Sequence, residues 1–247
     1  MKNQFLLFAL FLTFALQAQV AVFHPVHVPA DQMEKFLEIE TNYSQKTAKD
    51  AVAKGNLVWW SLMKLTNTSS DDPYNYMWVN VYKDIDAATS DAAGWWANSK
   101  AVVGIAPGML YDGLQGIKSD RRYFYKMQHQ LDSGKSGKYV IFNFATPKNI
   151  PGVLESEEKV IIPTFKKNMK KSGMTGWGSA TKITPQGKDY STYMTYDAFD
   201  TMANLMRHLS GDGEAIKGIQ WDAVEPITFE SRYVFEVVSS SCDSNPP

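Results

Sequence analysis

"FLEIETNY", residues 36–43, can be laid over "VLESEEKV", residues 153–160, and this pairing decides how the chain is read. At the offset of 117 residues, Glu40 falls on Glu157 and Trp60 on Trp177. The neighbouring stretches follow in the same order. "KGNLVWWS" (54–61) falls near "KSGMTGWGS" (171–179). "YMWVNVYKD" (76–84) resembles "STYMTYDAF" (191–199), with Tyr82 set on Tyr196. "DRRYFYKM" (120–127) resembles "ESRYVFEV" (230–237), with Arg122 and Tyr123 on Arg232 and Tyr233. The offset falls from 117 to 114 to 110, which reads as a duplication with shorter loops in the second copy. The halves are expected at 20–131 and 139–239, joined by a linker at 132–138 that contains "SGKSGK", with a loose tail at 240–247.

Each half reads β-α-β-β-α-β. In the first, strands are expected at 20–28, 57–66, 75–83 and 121–130, and helices at 30–54 and 85–100. Asp31 opens the long helix and Gly55 closes it. In the second, strands are expected at 139–146, 174–184, 190–197 and 229–239, and helices at 150–171 and 198–210. Pro163 lies inside the long helix and should kink or restart it, because it lacks an amide hydrogen.

Composition narrows the function classes. The chain has 247 residues, 25 basic and 26 acidic, so no broad basic field draws in nucleic acid. Lys2 followed by the apolar run Phe5 to Leu16 reads as a secretory signal peptide at 1–18, cleaved after Ala18. A secreted or periplasmic protein is expected, with no membrane insertion once the leader is gone. The single cysteine, Cys242, rules out an intramolecular disulfide.

The β-α-β-β-α-β order, the long first helix with its "VIIPTF" stretch (160–165) and the aromatic strands resemble the dimeric α/β-barrel superfamily. This group takes in the antibiotic-biosynthesis-monooxygenase-like, NIPSNAP-like and EthD-like families. The resemblance implies an α+β chain of two ferredoxin-like units in tandem, forming within one chain the barrel that two subunits form elsewhere. It also implies a range of activities: cofactor-free monooxygenases, haem-dependent enzymes, isomerases and proteins without a known reaction. Fold likeness alone does not choose among them.

The residues suggest a site. At about 100° per residue, Glu40 and Glu157 each fall in the apolar stripe of their long helix, followed two turns later by Thr47 and Thr164. A carboxylate there must be paired, hydrogen-bonded or protonated. One reading is an internal ion pair with Arg122 and Arg232. The other is a general acid or base of raised pKa. On that second reading Glu40, His129 and Asn80 are the candidate catalytic residues. Trp60, Trp78, Tyr82, Tyr125 and His24 are the candidate substrate-binding residues, forming an aromatic pocket in the first half. "FHPVHV" (23–28) is a weak metal motif, and no Cys/His cluster or nucleotide loop stands out, so no metal and no cofactor is expected. Haem held through His24, His27 or His129 stays as an alternative under the resemblance.

The leading expectation is a small-molecule enzyme of the cofactor-free monooxygenase-like type. Its partner would be a small apolar or aromatic molecule, and a homodimer is allowed. The alternatives are a non-catalytic extracellular ligand-binding or stress-related protein and a structural or partner-binding module.

Overall fold

The structure is a computed structural model and describes residues 19–69 and 72–242. The leader reading at 1–18 lies outside the described residues. The chain divides into two compact units: Met1–Met127 with Val238–Pro247, and Gln128–Val237.

The first unit opens with β1 (Val20–His27), followed by a helical run of α1 (Met33–Ile39), a π-helical turn (Glu40–Ser44) and α2 (Gln45–Ala53). Then come β2 (Trp59–Leu65), β3 (Tyr76–Tyr82), α3 (Ile85–Thr89), α4 (Ser99–Val103), α5 (Pro107–Leu110), the short β4 (Lys118–Ser119) and β5 (Tyr123–Asp132). Antiparallel pairing sets the order β2-β3-β1-β5. The core of this unit gathers Phe36, Trp60 and Tyr76, with the Phe36 and Tyr76 rings 5.3 Å apart. Each such side chain contributes about 1.5–3 kcal/mol when fully buried.

The second unit repeats the order of elements. It has β6 (Tyr139–Ala145), α6 (Ile150–Ser156), a π-helical turn (Glu157–Ile161), α7 (Ile162–Ser172), β7 (Met174–Thr184), β8 (Tyr193–Phe199), α8 (Met202–Leu209) and β9 (Phe229–Ser240). Pairing sets the order β7-β8-β6-β9, again antiparallel. Asn149 caps α6 by accepting the Gly152 amide at 3.1 Å, and the left-handed Gly173 ends α7. On α7, Phe165 and Met169 pack against Trp177, while Lys166, Lys167 and Lys170 face solvent.

Several expectations change. The helix expected at 85–100 is broken: Ser90 is extended (φ −80°, ψ 175°) and Gly94 is non-helical (φ −83°, ψ 26°) inside a 3-10 stretch. Pro163 is in keeping with the expected restart: the π turn ends at Ile161 and α7 begins at Ile162. The third strands match at 117, not 114. Trp60 pairs with Asn80 and Trp177 with Asp197, so Tyr82 corresponds to Phe199 rather than Tyr196. Each strand carries two tyrosines, Tyr76 and Tyr82 in β3 and Tyr193 and Tyr196 in β8, so the wrong register also gave a tyrosine match. The tail is ordered further than expected: Ser240 is buried in β9, and the Ser241 amide donates to the Trp60 carbonyl at 2.9 Å. Among the described residues, no helix is long and apolar enough to cross a membrane.

Candidate functional site

Glu40 is the first residue of the π turn and is 1% exposed. Its Oε2 accepts the Trp78 indole N–H at 2.9 Å, and its Oε1 accepts the Tyr111 hydroxyl at 2.7 Å. Among the described residues, no cation pairs with it. Burial raises its pKa, against the pull of these two hydrogen bonds. Burial and the neighbouring Glu40 carboxyl together push the Tyr111 hydroxyl far up. Thr47 is buried too, and its hydroxyl donates to the Tyr43 carbonyl of its own helix at 2.9 Å.

The other expected residues do not gather around Glu40. Asn80 accepts the Trp95 indole N–H at 3.1 Å, and Trp60 is core, with its ring edge to Trp95 at 6.3 Å. His24 meets Trp78 at 5.2 Å, and its pKa is lowered by burial first and by Arg122 second. Tyr82 is buried, and desolvation pushes its hydroxyl up to about 12. Tyr125 lies opposite Ala21, while Trp78 and Asn80 lie opposite His24 and Val22, so alternation puts Tyr125 on the other face of the sheet. There it packs on Phe23 at 5.3 Å. Neither arginine neutralises a glutamate: the Arg232 guanidinium lies 4.9 Å from the Phe229 ring centre.

His129 belongs to the other carboxylate. Glu157, 3% exposed, opens the second π turn. Its Oε2 accepts from Ser179 Oγ at 2.6 Å and faces His129 Nδ1 at 2.7 Å, and its Oε1 accepts from the Tyr193 hydroxyl. His129 Nε2 lies 3.1 Å from the exposed Glu158. The hydrogen bond to Glu157 raises the His129 pKa, against desolvation. The expected grouping of Glu40, Asn80 and His129 is therefore not formed, because both His129 ring nitrogens are engaged in the second unit.

A cavity of about 470 Å³ opens in that second unit, over β6 and β8 and beneath α6, α7 and α8. Its walls include Phe165, Trp177, Trp221 and Phe229, with Glu157 on one side. Its floor is polar. Asn143 Nδ2 donates to Thr195 Oγ1 at 3.0 Å and to Asp197 Oδ2 at 2.5 Å. His208 Nε2 stands 3.6 Å from Asp197 Oδ1, too far for a hydrogen bond but within ion-pair range. Its Nδ1 is buried without a partner. Asp197 is 4% exposed and accepts one hydrogen bond, while Glu157 accepts three. Burial raises the Asp197 pKa, and His208, Asn143 and Arg232 pull it back. A buried carboxyl with spare acceptor capacity in a cavity suits proton transfer.

Sequence reading singled out neither Asp197 nor His208. Tyr193, Thr195 and Asp197 alternate on one face of β8, and Leu205 and His208 stand one turn apart on α8. These signals were in the sequence, but the register of 114 hid the match of Asp197 with Asn80. Among the described residues, no group of three His, Cys, Asp or Glu side chains is placed to hold a metal ion.

The chain matches no protein-family model, and no curated protein matches it in sequence. Solved structures do match. A candidate monooxygenase from Lactobacillus acidophilus superposes with a TM-score of 0.53 at 11% identity, over 91% of this chain and 96% of that one. An anthrone oxidase-like protein gives 0.52 at 12% identity, over 93% and 95%. A variant chlorite dismutase from Candidatus Nitrospira defluvii gives 0.50 at 8%, over 89% and 90%. At such identities the likeness is one of fold: an α+β chain similar in structure to monooxygenase-like proteins.

Proposed function

We propose that this protein is a small-molecule enzyme of the monooxygenase-like type, working in the cavity of the second unit with Asp197 as its acid/base. The observation that carries this reading is a buried carboxyl of raised pKa, accepting one hydrogen bond where Glu157 accepts three, on the floor of an aromatic-walled cavity of about 470 Å³. That volume suits a ligand of two or three rings. The solved structures named as monooxygenases and as anthrone oxidase-like lend support through fold alone.

The chemistry would begin with proton removal. A raised pKa makes Asp197 a stronger base, and an acidic ring C–H or O–H would give its proton to the open Oδ1. His208 Nε2 stands 3.6 Å from that oxygen, and the negative charge passes from Asp197 to the substrate as the proton is taken. The substrate anion is then electron-rich enough to react with dioxygen. For a ring methylene the balance is complete without a cofactor: two hydrogens leave, one oxygen atom becomes the carbonyl, and the other departs as water. Two tandem ferredoxin-like units, derived by duplication and closing into a barrel, form part of the same proposal. So does secretion or periplasmic export after loss of the leader. The shared element order, the strand order and the two π turns at Glu40 and Glu157 support the duplication.

The test is oxygen consumption with anthrone. Wild-type protein should consume oxygen, and Asp197→Asn should lose about 10²-fold or more of kcat while still binding the ring system. Unchanged kcat in Asp197→Asn would remove Asp197 from the role. Tight binding of anthrone without turnover by wild type would favour the ligand-binding reading instead.

A further inference from the structure

Trp221 lines the cavity of the second unit while 61% of its surface is exposed. It stands twelve residues before Tyr233, as Tyr111 of the first unit stands twelve before Tyr123. Tyr233 pairs with Phe142 on β6 and Tyr123 with Phe23 on β1, so the two aromatics hold the same place relative to the last strand of their units. Their poses differ. Tyr111 is turned inward: its hydroxyl donates to Glu40, and its ring meets Trp96 edge-on at 5.6 Å. Its segment is pinned by Lys35 Nζ, which donates to the Asp112 carbonyl at 2.5 Å, and by the Gln115 amide, 3.4 Å from Gln32 Oε1.

Hydrogen bonds from the rest of the unit reach the Trp221 segment near its ends, and Ile219 packs into the core, while the Trp221 side chain itself stays exposed. Asn168 Nδ2 donates to the Lys217 carbonyl at 2.9 Å, and the Glu225 amide donates to Ser156 Oγ at 2.8 Å. Between these anchors lies Gly218, at φ +87°, a backbone conformation that favours glycine. The space inside also differs. Thr195 stands where the first unit has Trp78, so the volume that Trp78 and Tyr111 fill over the sheet of the first unit is open in the second.

We infer that Trp221 is the ligand-contacting aromatic of this cavity, turning inward to stack on a flat aromatic molecule that bears an O–H or N–H donor. The donor follows from Asp197, a buried carboxyl on the cavity floor that accepts from Asn143 through Oδ2 and leaves Oδ1 facing His208 at 3.6 Å. Stacking takes an exposed indole out of water and adds an aromatic pair at a favoured separation of about 4.5–7 Å. The inference rests on reading the cavity as the substrate site.

Calorimetry on the full chain with 2-naphthol as probe separates the two ideas. Wild type should bind it, and Thr195→Trp, which fills the cavity as Trp78 fills the first unit, should abolish binding. Trp221→Ala should weaken binding about tenfold, and Trp221→Phe should restore most of it. In protein labelled with 5-fluorotryptophan, the fluorine resonance absent from Trp221→Phe should shift and lose its solvent isotope effect when 2-naphthol saturates the site. Binding that Thr195→Trp abolishes but Trp221→Ala leaves intact, with that resonance unmoved, overturns the role of Trp221 and leaves the cavity reading standing. Full binding by Thr195→Trp, or none by wild type, overturns both.

Discussion

Glu40 and Glu157 sit at the same offset in two helices, yet their chemistry differs. Glu40 is bound by an indole and a phenol, both neutral, whereas Glu157 has a histidine. Their burial was legible from the apolar stripe. Their partners were not, because Tyr111, Ser179 and His129 arrive from distant segments that spacing cannot connect. The difference predicts opposite outcomes for two substitutions. Folding raises the Glu40 pKa, so the folded chain binds a proton that the unfolded chain has released, and this group's contribution falls as pH climbs from the usual carboxylate range through its folded value. A glutamine can accept from Trp78 and donate to Tyr111. Glu40→Gln should therefore gain on wild type in melting temperature between pH 5 and pH 8, by a few degrees at the upper end. A variant that falls steadily behind wild type as pH rises would show that the carboxylate is stabilising when charged. His129 follows the same pH trend, but it stabilises through its pairing with Glu157. Its pKa is raised by Glu157, so its stabilisation is complete below the ordinary value of 6.5 and is lost as pH rises through the folded value. His129→Gln should cost about 1–3 kcal/mol at pH 6, and the gap to wild type should shrink towards pH 9 in urea melts.

At the scale of elements, the strands were the most legible part, since aromatic and β-branched runs with period two fixed eight of them closely. The long helices were found, but their π turns were not. At a constant pitch of about 100° per residue, Ile39 and Gln45 turn away from the stripe centred on Glu40, yet both are buried. The π turn adds a residue to the α-helical repeat, so the faces on either side of Glu40 are out of phase with an ideal helix and both still meet the sheet. Deleting Thr41 would restore the ordinary repeat and rotate α2 by about 100°, carrying Thr47, Ala48 and Ala51 out of their buried positions. The deletion should cost about 3 kcal/mol or more, read by chemical denaturation. A deletion variant as stable as the parent would mean the π turn has no packing role.

At the scale of the whole molecule, the sequence divides at the linker, but the compact units do not follow that division. The last residues of β5, from Gln128, count with the second unit, and the residues from Val238 onward count with the first. Sequence comparison had no means of showing this, because it aligns halves by likeness and not by contact. The consequence lies at the C-terminal end of β9. The Ser241 amide donates to the Trp60 carbonyl, and the Trp60 amide donates to Ser241 Oγ at 3.1 Å, so this short segment supplies β2 with a neighbour. Ser240, just before it, is buried. A chain ending at Val237 would leave the β2 edge unpaired beside Trp60, with backbone groups exposed that are costly to leave unsatisfied. Its melting temperature should fall by about 5 °C or more, and it should aggregate more readily than the full chain. Ser241→Ala keeps the backbone bond and loses only the hydroxyl acceptor, so its cost should be about 1 kcal/mol. If the truncated chain melts with wild type, the segment contributes nothing to the first unit, and the boundary belongs at the linker after all.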